Sequence, residues 1–218
     1  MDQNLQDIAD KIIKYLDQKN VQYSDVRADQ QVKNSALIEN NDIEHIKNNE
    51  DKGVGVRLIK NGTWSFCSIT NPNSFDEIKN ILDNTIKNSD YRNINNKKVE
   101  LHSNPANKKE INFPVLKKPN MEELIKMGLE CNKIISATPK IIKSIAHASY
   151  TVNSKYFVNS EGSKILQNFT DIIMEMVATA HESGQTQSVN ITEGGRGGLE
   201  LITNKIQQSA KEISKKAS

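Results

Sequence analysis

The chain is short of several things that whole classes of protein need. Two cysteines stand among 218 residues, Cys67 and Cys131, 64 positions apart. That is neither a disulfide framework nor a zinc-binding spacing, and it predicts reduced thiols in a cytoplasmic protein. No apolar run approaches the ~18 residues of a membrane span, and the Met1, Asp2, Gln3 start carries no apolar signal core. Arginine occurs four times, and five Phe, five Tyr and one Trp are all the aromatic side chains there are. With a net charge of +2 and scattered lysines, the chain lacks the basic patch and stacking surface that nucleic acid requires.

What is abundant is Lys, Asn and Ile, which fill 77 of 218 positions, a bias typical of an AT-rich genome rather than of a function. The length suffices for one large or two small domains with a real core. Leu5, Ile8, Ala9, Ile12, Ile13 and Leu16 form one helical stripe. From Tyr23 the period becomes two: Val26 and Ala28 alternate with charged residues. Ala36, Ile38, Ile43 and Ile46 then recur around an Asn40, Asn41, Asp42 turn. Asn61-Gly62, between Gly53–Ile59 and Thr63–Cys67, is a strong hairpin signal, because both central residues of a type I′ turn need positive φ. Ser74 and Glu77 read as a capping box for a helix burying Phe75, Ile78, Leu82 and Ile86.

Periodicity lapses between Ser89 and Pro119. The earlier order then returns. A helix framed by Asn120 and Glu123 buries Leu124, Ile125, Gly128, Leu129 and Ile135. Strand-like segments follow at 141–152, 156–159, 163–180 and 186–192, and a last helix carries Leu199, Ile202, Ile206, Ala210 and Ile213. The expected fold is α+β: two helix-strands-helix units with antiparallel sheets, related by an internal duplication. The expected division is 1–89, a linker at 90–119, and 120–218.

Chemistry is sparse. His45, His102, His147 and His181 have no metal-like neighbours in sequence; His181-Glu182 begins a zincin-like pattern, but position 185 is Gln. Cys67 has no adjacent base to activate it. Gly194, Gly195, Arg196, Gly197, Gly198 before the last helix has the character of an anion-binding loop, without the Lys-Ser/Thr of a Walker motif; a sharp chain turn is the plainer reading.

Tyr23-Ser-Asp-Val-Arg27, Gly53-Val-Gly-Val-Arg-Leu58 and Asn61-Gly-Thr-Trp-Ser-Phe-Cys67 resemble the start of the TldD/PmbA family, known as modulators of DNA gyrase and as zinc metallopeptidases. Phe157 to Ser163 and the Gly194 to Glu200 segment extend the resemblance in the same order. It implies the N-terminal α+β region of such a protein. The zinc ligands of the TldD branch come from a His-Glu-x-x-x-His helix beyond the matched region, so no catalytic residue and no metal ligand carries over, and position 186 is Thr where a second histidine would fall. The resemblance implies a subunit of a homo- or heterodimer that helps enclose a cleft for a peptide substrate, with no membrane partner and zinc held elsewhere. Asn159, Ser160, Glu161, Gly194 and Gly195 are the expected substrate or partner contacts. Two other readings stand beside it: a non-catalytic binding or assembly module that partners a full-length family member, and direct gyrase or DNA binding, which the scattered lysines argue against.

Overall fold

The computed structural model describes residues 1–91 and 98–218, with side chains at 1–89 and from 98 onward. Four helices and seven strands follow in the order α1 (Gln3–Asp17), β1 (Tyr23–Glu39), β2 (Asp42–Lys60), β3 (Thr63–Thr70), α2 (Phe75–Tyr91), β4 (Lys108–Asn112), α3 (Met121–Ser136), β5 (Ile141–Asn159), β6 (Lys164–Glu182), β7 (Gln185–Arg196) and α4 (Ile206–Ala217). The strand order is β3-β2-β1-β5-β6-β4, with β7 also paired to β6. The α+β class is as expected.

Turn chemistry sets the hairpins. Asn40 (φ 50°) and Asn41 (φ 71°) join β1 to β2, Asn61 (53°) and Gly62 (75°) join β2 to β3, and Ser183 (50°) and Gly184 (81°) join β6 to β7. Each is a pair of positive-φ residues, which twists the chain as antiparallel strands require. β1 and β5 are antiparallel too: the Ser160 N–H donates to Ser24 O at one end and the Asn40 N–H to Ser144 O at the other, both at 2.9 Å.

The chain packs as two compact units that interleave in sequence: Met1–Gln31, Glu50–Asn112 and Asn153–Asn168 form the first, and Val32–Asn49, Phe113–Val152 and Phe169–Ser218 the second. β1, β2, β5 and β6 each contribute one part to each unit. This partition follows packing, whereas the contiguous segments 1–89 and 120–218 follow the recurrence of element order.

In the first unit, α1 and α2 cover one face of the sheet. Asp2 caps α1 by accepting from the Asn4 N–H at 3.0 Å, and Leu5, Ile8, Ile12 and Leu16 pack with Ile78 and Leu82 of α2 onto Val26, Ala28, Val54, Val56 and Leu58. Glu77 accepts from the Asn73 N–H at 3.2 Å, one residue ahead of the position a capping box would use. Tyr156 reaches through the layer to donate to Asp10 of α1 at 2.9 Å.

In the second unit, α3 and α4 cover the sheet over Ala36, Ile38, Ala146, Ala148, Ile172, Met174 and Met176. Asn120 caps α3 through the Glu123 N–H at 2.8 Å.

Several expectations change. The segments 141–152 and 156–159 are one strand, β5, which lies between β1 and β6 in the sheet. β4 arises within the aperiodic stretch 90–119 and pairs parallel to β6, where antiparallel pairing was expected; residues 92–97 of that stretch lie outside the described residues. The hairpin around Asn40–Asp42 is present, and its Ile43 and Ile46 are 46% and 56% exposed, where β2 does not yet have β3 beside it. The expected last helix divides into a 3₁₀ turn, Leu199–Leu201, and α4, although Leu199, Ile202, Ile206, Ala210 and Ile213 are all buried. The recurrence of helix, strands and helix is not matched by two separate sheets, and the duplication gains no support from it. Among the described residues no helix is long and apolar enough to cross a membrane.

Candidate functional site

The face of the first unit's sheet opposite its helices carries a cluster of charged and aromatic side chains. Strand alternation puts Val26 and Ala28 toward the helices, and so Tyr23, Asp25, Arg27 and Asp29 on the opposite side. On a sheet face with no helix over it among the described residues, Asp25 is nonetheless 0% exposed. The cause is Arg57 of β2. Its Nε lies 3.0 and 2.8 Å from the two carboxylate oxygens and its Nη2 lies 2.6 Å from Oδ2. This bidentate, charge-assisted geometry is the strong form of an ion pair.

Aromatic rings complete the cover. The Arg57 guanidinium lies 5.3 Å from the Trp64 ring, Trp64 stacks on Phe66 at 6.1 Å, and Tyr23 meets Trp64 edge-on at 6.0 Å. Burial pushes the Tyr23 phenol above its usual pKa; a hydrogen bond with Asn159 works against that and the Asp25 charge adds to it. The hydrogen bond to Asp25 holds the Arg57 guanidinium more firmly protonated still, against the opposing effect of burial. Phe66 itself is 64% exposed, and Gly55 beside it has no atom within 4 Å of where a side chain would begin. The face therefore offers a hollow of about 380 Å³ with an apolar floor and cationic rim.

The residues expected from sequence fall in two places. Asn159, Ser160 and Glu161 form the β5–β6 turn of the first unit. Asn159 Oδ1 accepts from the Ser163 N–H at 2.8 Å, Ser160 Oγ accepts from the Ser24 N–H at 3.0 Å, and Glu161 accepts from the Asn104 N–H at 3.4 Å. These groups hold the turn and tie it to β1. Gly194 and Gly195 end β7 in the second unit. Gly194 (φ +139°) stands where a Cβ would lie 2.0 Å from Ile172 O, so backbone proximity accounts for that glycine.

The glycine-rich loop does gather an anion, but an internal one. Glu200 accepts from the N–H groups of Gly198 at 2.8 Å, Lys117 at 2.9 Å and Leu116 at 3.4 Å. Burial opposes ionisation, yet these backbone bonds hold the Glu200 carboxyl below its usual pKa. The sharp-turn reading of this loop is the one the geometry favours.

Sequence reasoning singled out Tyr23–Arg27 and Arg57 as motif but assigned them no role. The available signal was a carboxylate and two guanidiniums alternating with residues of the helix-facing side.

An α+β fold in which each of two units lays two helices on one face of its strands defines the class of protein to which this chain conforms. The PmbA/TldA metallopeptidase domain 1 matches residues 24–89 and the PmbA/TldA metallopeptidase central domain matches 114–218, together most of the chain. The chain belongs to the PmbA/TldD family. It is 29% identical over 204 residues to a metalloprotease of Methanocaldococcus jannaschii, covering 89% of this chain and 44% of that protein. A metalloprotease of Methanothermobacter thermautotrophicus is 22% identical over 201 residues, covering 90% and 43%. Among solved structures, a proposed modulator of DNA gyrase from Bacteroides thetaiotaomicron superposes with a TM-score of 0.80 at 17% identity over 97% of this chain and 49% of that one. TldE from Thermococcus kodakarensis does so at 0.68 and 15%, over 96% and 47%. These structures share the fold, and the chain spans less than half the length of the relatives it matches.

The family's metallopeptidase name raises the question of a metal. Among the described residues no three His, Cys, Asp or Glu side chains are gathered as ligands. His181 Nδ1 lies 2.9 Å from Thr186 Oγ1, and Glu182 pairs with Lys140 at 2.8 Å. The donors among the described residues do not fit a zinc centre.

Proposed function

We propose that this chain is the N-terminal region of a TldD-like metallopeptidase involved in proteolysis of peptides or unfolded proteins. It contributes substrate cleft and dimer surface, and the metal centre is supplied from elsewhere. The observation that carries this reading is the match to both the first and the central metallopeptidase domains by a chain under half the length of its metalloprotease relatives. The uncovered, aromatic and charged sheet face of the first unit supports it, since side chains projecting from a rigid sheet suit an extended peptide. A cytoplasmic location is part of the same reading, with the free thiols of Cys67 and Cys131 in its support.

The test uses the purified chain. Expected are no stoichiometric zinc by metal analysis, no cleavage of unfolded peptides, saturable peptide binding, and self-association or complex formation with a full-length family member by light scattering. Zinc binding with peptide cleavage overturns the division of labour. Complex formation without peptide binding replaces it with the second reading, a non-catalytic assembly module, which the exposed strand residues Ile142 and Ile173 also favour.

A further inference from the structure

Two guanidiniums on this face of the first unit compete for one carboxylate, and Arg27 is the more loosely held. Asp25 gives both oxygens to Arg57 at 2.6 to 3.0 Å, whereas Arg27 Nε stands 3.8 Å from Oδ1, too far for a hydrogen bond. The Arg27 guanidinium lies 5.9 Å from the Phe157 ring, which steadies it from below, and its side chain is 59% exposed. Two guanidiniums thus share one carboxylate, and the closer one takes it.

Arg27 also lines two hollows at once. One, of about 380 Å³, has Gly55 as its floor and Phe66 and Arg57 at its side. The other, of about 440 Å³, is lined by Lys155, Phe157, Ile165 and Gln167, with Asp29 3.8 Å from Lys155. Arg27, Arg57 and Lys155 against Asp25 and Asp29 leave one positive charge in excess. That matches a monoanion, and the guanidinium fork matches a carboxylate.

We propose that Arg27 binds a peptide carboxylate, from a C-terminus or an Asp or Glu side chain, while an apolar neighbour of that group settles between Gly55 and Phe66. This deepens the peptide-cleft reading and rests on it for the peptide.

The single tryptophan, Trp64, stacks on Phe66 and reports on the hollow by its fluorescence. The full chain is titrated with acetyl-Ala-Ala-Leu-Phe bearing a free carboxyl, with its C-terminal amide, and with the amide of acetyl-Ala-Glu-Leu-Phe. The two carboxylate peptides separate the terminal from the side-chain source. Expected is saturable binding of one or both, weakened about tenfold in the uncharged amide, with Arg27→Gln abolishing the difference and Arg27→Lys restoring part of it. Circular dichroism checks the fold of each variant. Salt adds a readout on the unmodified chain, since it weakens the acid peptides and leaves the amide unchanged.

Equal binding of acid and amide overturns the carboxylate site and leaves the peptide cleft standing. Arg27-dependent binding of benzoate without any peptide binding keeps the carboxylate site and overturns the peptide reading beneath it. Preference for inorganic phosphate over every carboxylate overturns the monoanion assignment, and silence from all probes overturns both proposals.

Discussion

The two units solve one architectural problem with different chemistry. Each lays two helices on one face of a sheet. The first fills the layer with branched side chains, Leu5, Ile8, Ile12 and Leu16 against Val26, Val54 and Val56, and spends its polar groups on the other face. There a buried carboxylate is held by a guanidinium under aromatic cover. The second uses Ala146, Ala148, Met174 and Met176 under its helices and buries a neutral network instead. In it Asn132 Oδ1 accepts from Ser144 Oγ at 2.7 Å and from the Asn41 N–H at 3.2 Å. A neutral network inside a core serves packing and turn geometry. A charged pair on a face without helices has less structural reason to exist, and that difference directs functional attention to the first unit.

The sharpest way to break this contrast is Arg57→Ala, which leaves the buried Asp25 carboxylate with only the more distant Arg27. The expected loss is about 2–4 kcal/mol in urea unfolding followed by Trp64 fluorescence, below the range for a wholly buried pair because solvent reaches part of Arg57. The double change Asp25→Leu, Arg57→Met recovers most of it. A loss under about 1 kcal/mol for the single variant removes the electrostatic distinction between the units.

Next in size is Gly194→Ala in the second unit, where the new Cβ meets Ile172 O and the positive φ is unfavourable. The cost is about 1–3 kcal/mol by far-UV circular dichroism melts, a backbone sensitivity set against the charge sensitivity of the first unit. Asn132→Ala strands the Asn41 N–H and Ser144 hydroxyl and costs about 1–2 kcal/mol by the same measurement.

The smallest effect is a pH slope from His147. Burial, with Lys33, His45 and Lys47 adding and Glu175 opposing, pulls its pKa below the ordinary value of 6.5. The unfolded chain then binds the proton more readily, so the contribution is complete above pH 6.5 and declines as pH falls through the folded value. His147→Asn flattens that part of the stability profile; an unchanged slope assigns it to another group.

Much of the fold was legible because it is written locally. Asn-Gly and Asn-Asn turns, the Asn120 cap and the α1 stripe each depend on a few neighbouring residues, and each stands where the pattern predicts. β4 was not legible, since Lys108–Asn112 has no apolar alternation and becomes a strand only by pairing with Lys164–Asn168. The exposed Ile43 and Ile46 show the converse limit: periodicity reports a face, not whether a neighbour covers it.

The candidate site was less legible than the fold. Asn159 and Gly194 drew attention as turn residues, and turn bonding and backbone proximity account for them. The Asp25–Arg57 pair joins positions 32 residues apart through strand register, which no local window contains.

By itself, the sequence determined most element types, the hairpin turns and membership of a family, because propensity, turn stereochemistry and motif order are local or additive properties. Only the tertiary structure decided that the strands would serve two interleaved units, that Glu200 would occupy its own glycine-rich loop, and that Arg27 would hold Asp25 more loosely than Arg57 does. Those outcomes depend on which atoms meet across the sheet, and a buried charge is satisfied by distance in space rather than by spacing along the chain.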